Sequence, residues 1–290
     1  MGWCVGVDGK MSLRLFIGGV RGSRPAIGNG FDEFGGDTTS LLLIGSRGER
    51  LILDAGTGLR AVAGQLAAME PGEVTVVFSH YHLDHMAGLT MNPLFYRPDW
   101  SFRFIGPTFA DSTAQEAITR LLAQPYWPVS WKQMAARLEF AKFPIGGIAV
   151  GGLRLRECPV PHPGGSFAYR IDDTGCGASM VFATDIEWKL RTPANEAAFL
   201  SLCREPSPAD LLVIDAHFAD ADQKAFAGWG HSSREDCLAI ATETGMGRVL
   251  LGHHAPEAED MALLAVEDQV KRVLPGASLA RAGQWLTVGD

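Results

Sequence analysis

A dense group of metal-binding residue types at positions 80–85 is the strongest constraint on how this chain can fold. The run reads His80-Tyr81-His82-Leu83-Asp84-His85, and only Ser79 separates it from the apolar segment Val74–Phe78. Three imidazoles and one carboxylate within six residues serve no packing purpose, and they suit two transition-metal ions better than one. The run therefore predicts a metal centre at the end of a buried strand.

The other candidate ligands also lie just beyond predicted strands. Because strand ends converge on one edge of a sheet, we expect their loops to meet the 80–85 loop in space. These candidates are His162, Asp185 and the neighbours His253 and His254, which follow the predicted strands Ile148–Cys158, Met180–Ala183 and Val249–Leu251.

The residue types indicate which metals and which chemistry the centre would support. Neutral imidazole and carboxylate ligands suit zinc, manganese or iron(II). A carboxylate such as Asp185 can bridge two ions that share a hydroxide between them. Two cations would lower the pKa of that water and neutralise charge that builds up on a substrate.

Apolar periodicity predicts sheets in both halves of the chain with helices between them. We therefore expect a single α/β (α+β) domain over residues 1–290, arranged as a four-layer αββα sandwich. Further predicted strands are Leu13–Val20, Ser40–Ile44, Leu51–Leu53, Phe102–Ile105, Phe167–Ile171 and Leu211–Ile214. Predicted helices lie between Gly58 and Pro71, over 112–122, from the capping box Ser232-x-x-Glu235 to Gly245, and from Pro256 to Pro275 with Leu263, Val266, Val270 and Val273 on one face.

Two segments fall outside this pattern. Residues 1–10 are expected to be a ragged N-terminal extension, and residues 89–143 an insertion or lid region. Within the latter, the run 124–131 holds two prolines, Tyr126, Trp127 and Trp131. Both a substrate lid and an aromatic plug that closes the core are consistent with it.

Composition narrows the partners and the cellular location. The net charge of −8 argues against long nucleic acid as a partner, because broad nucleic-acid binding needs a basic field. The five cysteines are widely spaced, so neither a disulfide framework nor a thiolate zinc site is indicated, and we expect reduced thiols. No apolar run approaches the roughly 20 residues of a membrane span, and the N-terminus lacks the features of a signal peptide. A cytoplasmic protein with no membrane partner is therefore expected.

With these motifs the chain resembles the metallo-β-lactamase-fold hydrolases. The resemblance covers nearly the whole chain and is strongest to the branch with ribonuclease Z-like enzymes and cyclic-nucleotide or phosphonate-pathway phosphodiesterases. Besides the 80–85 run, the motifs that carry it are Gly19–Pro25, Gly35–Ser40, Ile52–Gly58, Pro161-His162, Ala183-Thr184-Asp185, Gly228-Trp229-Gly230-His231-Ser232 and Gly252–Pro256.

The resemblance implies two divalent metal ions, zinc or manganese, with iron as a further option. It places one ion on His80, His82 and His162. The second ion would lie on Asp84, His85 and His253, with Asp185 as the bridge. Because His253 and His254 are adjacent, the choice between them stays open at this point.

The resemblance also implies a catalytic set beside the metals, made of Asp84, His231 and Asp215. His231 matches the second catalytic histidine of ribonuclease Z-like enzymes, where it would donate a proton to the leaving oxygen. Asp215 at the end of its strand is placed to orient it. His217 stands where that branch commonly has Gln.

The expected function is a binuclear metal-dependent phosphodiesterase that acts on a small phosphodiester through a metal-bridging hydroxide, with cyclic phosphodiesters among the candidate substrates. A thioesterase of the glyoxalase II kind is the first alternative, since it uses the same ligands but would not need His231 and Asp215. A non-hydrolytic redox protein is the second, and His82 argues against it, because flavodiiron relatives have Glu there. The oligomeric state stays open, with a homodimer suggested by analogy alone.

Overall fold

The computed structural model describes residues 12–109 and 112–289, so the expected extension 1–10 lies outside the described residues. Within that part the chain forms two seven-stranded sheets. In chain order the strands are β1 (Leu13–Gly19), β2 (Ser40–Ile44), β3 (Arg50–Leu53), β4 (Glu73–Val77), β5 (Ser101–Gly106), β6 (Arg137–Lys142), β7 (Ile148–Val150), β8 (Leu153–Val160), β9 (Ser166–Asp173), β10 (Ser179–Ala183), β11 (Leu211–Asp215), β12 (Val249–Gly252), β13 (Ala277–Leu279) and β14 (Trp285–Val288).

The first half of the chain forms one sheet and the second half forms the other, except that the last strand, β14, joins the first sheet. The first sheet has the order β14-β1-β2-β3-β4-β5-β6, and the second has the order β13-β12-β11-β10-β9-β8-β7. The helices are α1 (Leu59–Ala67), α2 (Ala114–Leu121), α3 (Pro193–Arg204), α4 (Asp220–Gln223), α5 (Arg234–Thr244) and α6 (Asp260–Val273).

The two sheets pack face to face with helices on both outer faces. α1 and α2 pack on the first sheet, whereas α3, α5 and α6 pack on the second. The alternation along β2 shows how the layers form, because successive side chains point to opposite faces of a sheet. Leu41 and Leu43 lie between the sheets, and Leu42 and Ile44 lie under α1. The predicted four-layer αββα sandwich is confirmed.

Parallel strands bring the candidate ligands to one edge of the sandwich. β3 and β4 are parallel neighbours in the first sheet, as are β10, β11 and β12 in the second. A contact between the sheets positions the His80 loop there, because the Tyr169 hydroxyl donates to the Phe78 carbonyl at 2.7 Å and the Phe167 N–H donates to the Ser79 carbonyl at 3.1 Å.

Two predicted helix starts are wrong. The α5 N-cap is Ser233, whose hydroxyl accepts from the Asp236 N–H at 3.1 Å, because the Ser232 hydroxyl donates instead to the Ile186 carbonyl. α6 begins at Asp260 rather than near Pro256, since the Arg21 guanidinium binds the carbonyls of residues 255 and 258 and holds that segment as a turn.

Other local predictions also need correction. The predicted strand Ile148–Cys158 is two strands, β7 and β8, because Gly151 with φ of +57° makes a turn between them. Val273 is 67% exposed and does not join the buried face of α6. The half-exposed strand β6, the helix α3 and the short strands β13 and β14 carry weak periodicity and were not predicted.

Residues 89–143 contribute β5, β6 and α2 to the first half of the sandwich. The aromatic side chains of the 124–131 run pack onto that core, since Trp127 and Trp131 are half-buried against it and the Trp131 ring stands edge-on to Phe140 at 5.0 Å. These contacts favour the aromatic plug. Among the described residues no helix is both long and apolar enough to cross a membrane. Cys158, Cys203 and Cys237 are buried free thiols, and Cys4 lies outside the described residues.

An ion pair between Glu267 of α6 and Arg281, which lies just beyond β13, gives a testable pH dependence. Glu267 pairs with both terminal nitrogens of Arg281 at 2.8 and 2.9 Å and accepts from the Leu279 N–H, and these bonds lower its pKa to about 2. A depressed carboxylate pKa stabilises the fold above the unfolded value of 4.5, and this contribution is lost as pH falls from 4.5 towards 2.

We expect Glu267→Gln to lower the free energy of unfolding by about 2 kcal/mol at pH 7, measured by urea denaturation. The difference from the wild type should shrink as the pH falls below 4.5. Asp268→Asn, at an exposed position of the same helix, is the matched control and should change little. A deficit in Glu267→Gln that is the same at pH 3 and pH 7 would contradict this account.

Candidate metal centre

Three groups of potential metal ligands lie at the edge of the sandwich where the parallel strands end. Two of them share Asp185 and are called the two clusters below, and the third consists of Asp215, His217, His231 and His253. In each cluster one ligand atom per residue lies within 4.8 Å of all the others. The first cluster is His80, His82, His162 and Asp185, and the second is Asp84, His85, Asp185 and His253. The structure thus brings together all seven residues that the sequence predicted as ligands.

In the first cluster the imidazoles surround one oxygen of Asp185. The Nε2 atoms of His80 and His162 lie 3.7 and 3.6 Å from Asp185 Oδ1. The Nδ1 atom of His82 lies 3.1 Å from the Nε2 atom of His162. His82 is exposed and His80 is buried, so the cluster opens to solvent on the His82 side.

The second cluster is tighter and more deeply buried. The Nε2 atoms of His85 and His253 lie only 3.3 Å apart, and they are 3.0 and 3.1 Å from Asp185 Oδ2. Asp84 Oδ2 lies 3.3 and 3.4 Å from the same two nitrogens. The Ser23 N–H donates to this oxygen at 2.7 Å and holds the carboxylate in place.

Asp54 sets the orientation of two of these histidines. Its Oδ2 atom accepts from His85 Nδ1 at 2.8 Å and from the Ser79 hydroxyl at 2.7 Å. Because the Ser79 hydroxyl donates to Asp54, it must accept from His80 Nδ1, which lies 3.0 Å away. His162 Nδ1 donates to the Gly230 carbonyl at 2.8 Å. All three rings therefore carry the Nδ1 proton and turn an Nε2 lone pair towards the clusters.

The donor set fits divalent cations. Two imidazole nitrogens 3.3 Å apart face the same carboxylate oxygens, as ligands around a shared cation do. The buried His80 Nε2 has no hydrogen-bond partner among the described residues. Burial would lower the pKa of His85, but Asp185, Asp84 and Asp54 raise it well above its usual value. The carboxylates thus favour positive charge in the clusters. Divalent ions bound by the imidazoles and carboxylates would supply that charge.

Backbone strain is concentrated at the same place. Among the described non-glycine residues, positive φ angles occur at Ser23, Asp54, Asp185 and His253, with values between 54° and 61°. Each of them either belongs to a cluster or hydrogen-bonds to one of its members. Such conformations persist only where the surroundings enforce them, and they concentrate at functional sites.

His231 and Asp215 form a buried pair beside the clusters. His231 Nδ1 donates to Asp215 Oδ2 at 2.8 Å and lies 3.9 Å from Asp185 Oδ1. Burial would lower the pKa of His231, but the charge and hydrogen bond of Asp215, together with Asp185 and Asp84, raise it to about 9. Bound cations would oppose part of this rise. Since Nδ1 is held by Asp215, the transferable proton of the imidazolium lies on Nε2.

Three neighbouring residues have structural contacts. His254 points away from the clusters and donates from Nε2 to the Ala280 carbonyl at 3.0 Å, so the geometry favours His253 as the ligand. His217 Nδ1 donates to the His253 carbonyl at 2.9 Å, and burial is the main cause that lowers its pKa to about 3. Arg21 is fully buried and bonds backbone carbonyls, so it serves the fold rather than an anionic substrate.

The sequence did not indicate the role of Glu187. This carboxylate is 2% exposed and accepts from the N–H groups of Gly228 and Gly230, both at 2.8 Å. It thereby holds the turn whose Gly230 carbonyl orients His162. The position of this glutamate between the apolar residues Ile186 and Trp188 is the sequence signal for such a role, because a charged residue that is buried needs a hydrogen-bond partner.

Comparisons with known proteins agree with this geometry. A family model described as a beta-lactamase superfamily domain matches residues 49–254, which include every residue of both clusters. A ribonuclease Z from Salinispora arenicola (strain CNS-205) is 27% identical over 125 residues, which are 42% of this chain and 33% of that protein. The matched part of this chain therefore spans about a third of that relative's length.

Two solved structures share the fold over nearly the whole chain. The metallo-beta-lactamase fold protein YhfI from Bacillus subtilis has a TM-score of 0.67 at 21% identity, with 94% of this chain and 99% of that chain covered. A diphosphatase from the PhnP family has a TM-score of 0.68 at 18% identity, with 96% and 97% covered.

We expect Asp54→Asn to lower the affinity for divalent metal about 10- to 100-fold, because an amide has one acceptor oxygen and its NH2 group would have to face either the Ser79 N–H, which donates to Asp54 Oδ1 at 2.7 Å, or His85 Nδ1. Affinity is measured by competition with a chromogenic chelator. Asp173→Asn is the matched control, since Asp173 is equally buried and binds the N–H and hydroxyl of Ser46, both at 2.7 Å, but contacts no histidine. Equal losses of affinity in the two variants would show that Asp54 acts only through stability.

Proposed function

The chain belongs to the beta-lactamase superfamily of metal-dependent hydrolases, and from that premise we propose that it is a binuclear phosphodiesterase acting on small phosphodiesters. The observation that carries the proposal is the His231–Asp215 pair beside the two clusters. The ribonuclease Z and diphosphatase relatives support a phosphorus-centred reaction. The shared fold alone supports no particular substrate.

The proposed ligands divide as the clusters do. His80, His82 and His162 would hold one ion, Asp84, His85 and His253 the other, and Asp185 would contact both. Two divalent ions, zinc or manganese, would supply Lewis-acid stabilisation of a phosphoryl group and an activated water.

The protein itself supplies the proton that the leaving group needs. Cleavage of a phosphodiester expels an alkoxide, which is a poor leaving group unless it gains a proton. His231 donates that proton from Nε2, and Asp215 keeps the imidazole in the correct tautomer and favours its charged form. A thioester expels a thiolate and does not need such a donor, so the pair favours a phosphodiester over a thioester.

We expect His231→Ala to slow the metal-loaded enzyme about 100-fold or more on diphenyl phosphate and much less on bis(p-nitrophenyl) phosphate. The reason is that p-nitrophenolate leaves without a proton, whereas phenolate depends more on the acid. Steady-state kcat for both substrates is the measurement. His217→Gln, which changes the ring stacked 4.5 Å from His231, is the control and should keep the wild-type ratio of the two rates.

An equal loss on both substrates would contradict the role of His231 as the acid. No hydrolysis of either compound by wild-type protein with bound metal would overturn the phosphodiesterase proposal and favour thioesters or other acyl substrates.

We expect Asp185→Asn to abolish hydrolysis and to reduce the bound metal, because both clusters lose the shared carboxylate. Asparagine is the informative substitution, since it tolerates the φ of +54° at this position and keeps the backbone in place. Metal content after gel filtration is measured by elemental analysis beside the rate. A variant with wild-type turnover and full metal content would remove the bridging assignment.

A further inference from the structure

An exposed tryptophan lies on the Gly228–Gly230 turn, which contacts His162 through the Gly230 carbonyl and continues into His231. Trp229 is 64% exposed, whereas every other tryptophan within residues 12–109 and 112–289 is buried or half-buried. Exposure of so large an apolar side chain has no benefit for the fold, because indole gains stability from burial. Such a side chain at the rim of a site is typical of a ligand contact.

The backbone holds Trp229 in a defined position. The N–H groups on both sides of it, from Gly228 and Gly230, each donate to a different oxygen of the buried Glu187. Gly230 has a φ of +95°, and a Cβ atom there would lie 2.2 Å from His162 Nδ1. The turn is therefore built for close approach to His162 and leaves little freedom for the tryptophan backbone.

A continuous row of rings connects Trp229 with the proposed acid. Its ring stands edge-on to Phe226 at 5.2 Å, and Phe226 stacks on Phe218 at 5.0 Å. Phe218 in turn stands edge-on to His231 at 6.0 Å. Phe226 supports one side of the indole, while most of the indole surface remains open to solvent.

We propose that Trp229 determines substrate specificity by stacking on a planar ring, a nucleobase, of the molecule whose phosphate lies at the metal centre. This proposal rests on the proposed phosphodiesterase function and adds the part of the substrate that the metals do not contact. Stacking of a base on an aromatic side chain is tolerant of base identity and typically strengthens binding about tenfold or more. A substrate with a base on its sugar is then preferred to the bare sugar phosphate.

The test compares two ligands that differ by the base alone. Dissociation constants of adenosine 5′-monophosphate and ribose 5-phosphate are measured by titration calorimetry with the metal-loaded protein. We expect the wild type to bind the nucleotide about tenfold more tightly, Trp229→Ala to bind both ligands equally, and Trp229→Phe to keep most of the preference. Tyr126→Ala removes a 78% exposed aromatic side chain from the 124–131 run and should behave as the wild type does.

The outcomes distinguish a failure of the proposed role of Trp229 from a failure of the proposed phosphodiesterase function. No preference in the wild type, or the same preference in Trp229→Ala, would overturn the role of Trp229 while the phosphodiesterase function stands. If neither ligand binds to protein with bound metal, and diphenyl phosphate is not hydrolysed, both proposals fail together. A melting temperature of Trp229→Ala close to that of the wild type would show that the change in ligand preference does not come from loss of folding.

Discussion

The carboxylate of Asp185 is the group on which the rest of the site depends. Each of its oxygens faces a different set of imidazoles, at 3.0 to 3.7 Å, so one buried side chain joins two clusters. Its backbone has a left-handed φ of +54° two residues beyond the end of β10, and the Thr184 hydroxyl donates to its Oδ2 at 2.7 Å. The parallel strands β10, β11 and β12 then bring Asp215 and His253 to the same edge. The sandwich thus aligns ligands that are far apart in sequence.

A second buried carboxylate, Glu187, positions the residues proposed for catalysis. It holds the Gly228–Gly230 turn against His162, and this turn continues into His231. One short segment therefore orients a proposed ligand, presents the proposed acid and exposes Trp229. The phosphate of a substrate at the metal centre and its base on Trp229 would then be held at a fixed distance from each other. Catalysis requires such positioning of the reacting group.

Much of this arrangement could be predicted from the sequence, and its limits have physical causes. Buried strands such as β12 are apolar on both faces, and the ligand His253 follows β12 directly, so the strands and ligands stand out together. Half-exposed edge strands such as β6 lack that contrast. The choice between His253 and His254 needed the tertiary structure, because only the left-handed turn at His253 decides which ring faces the clusters. The start of α6 depended on Arg21, more than 200 residues away.

We expect each chain to bind two metal ions, because two clusters of ligands share Asp185. Native mass spectrometry of the wild-type protein, first stripped with chelator and then dialysed against zinc or manganese, counts the bound ions directly. The expected result is a mass increase of two ions per chain. A protein that saturates at one ion, or that binds none while it remains folded, would contradict a binuclear centre.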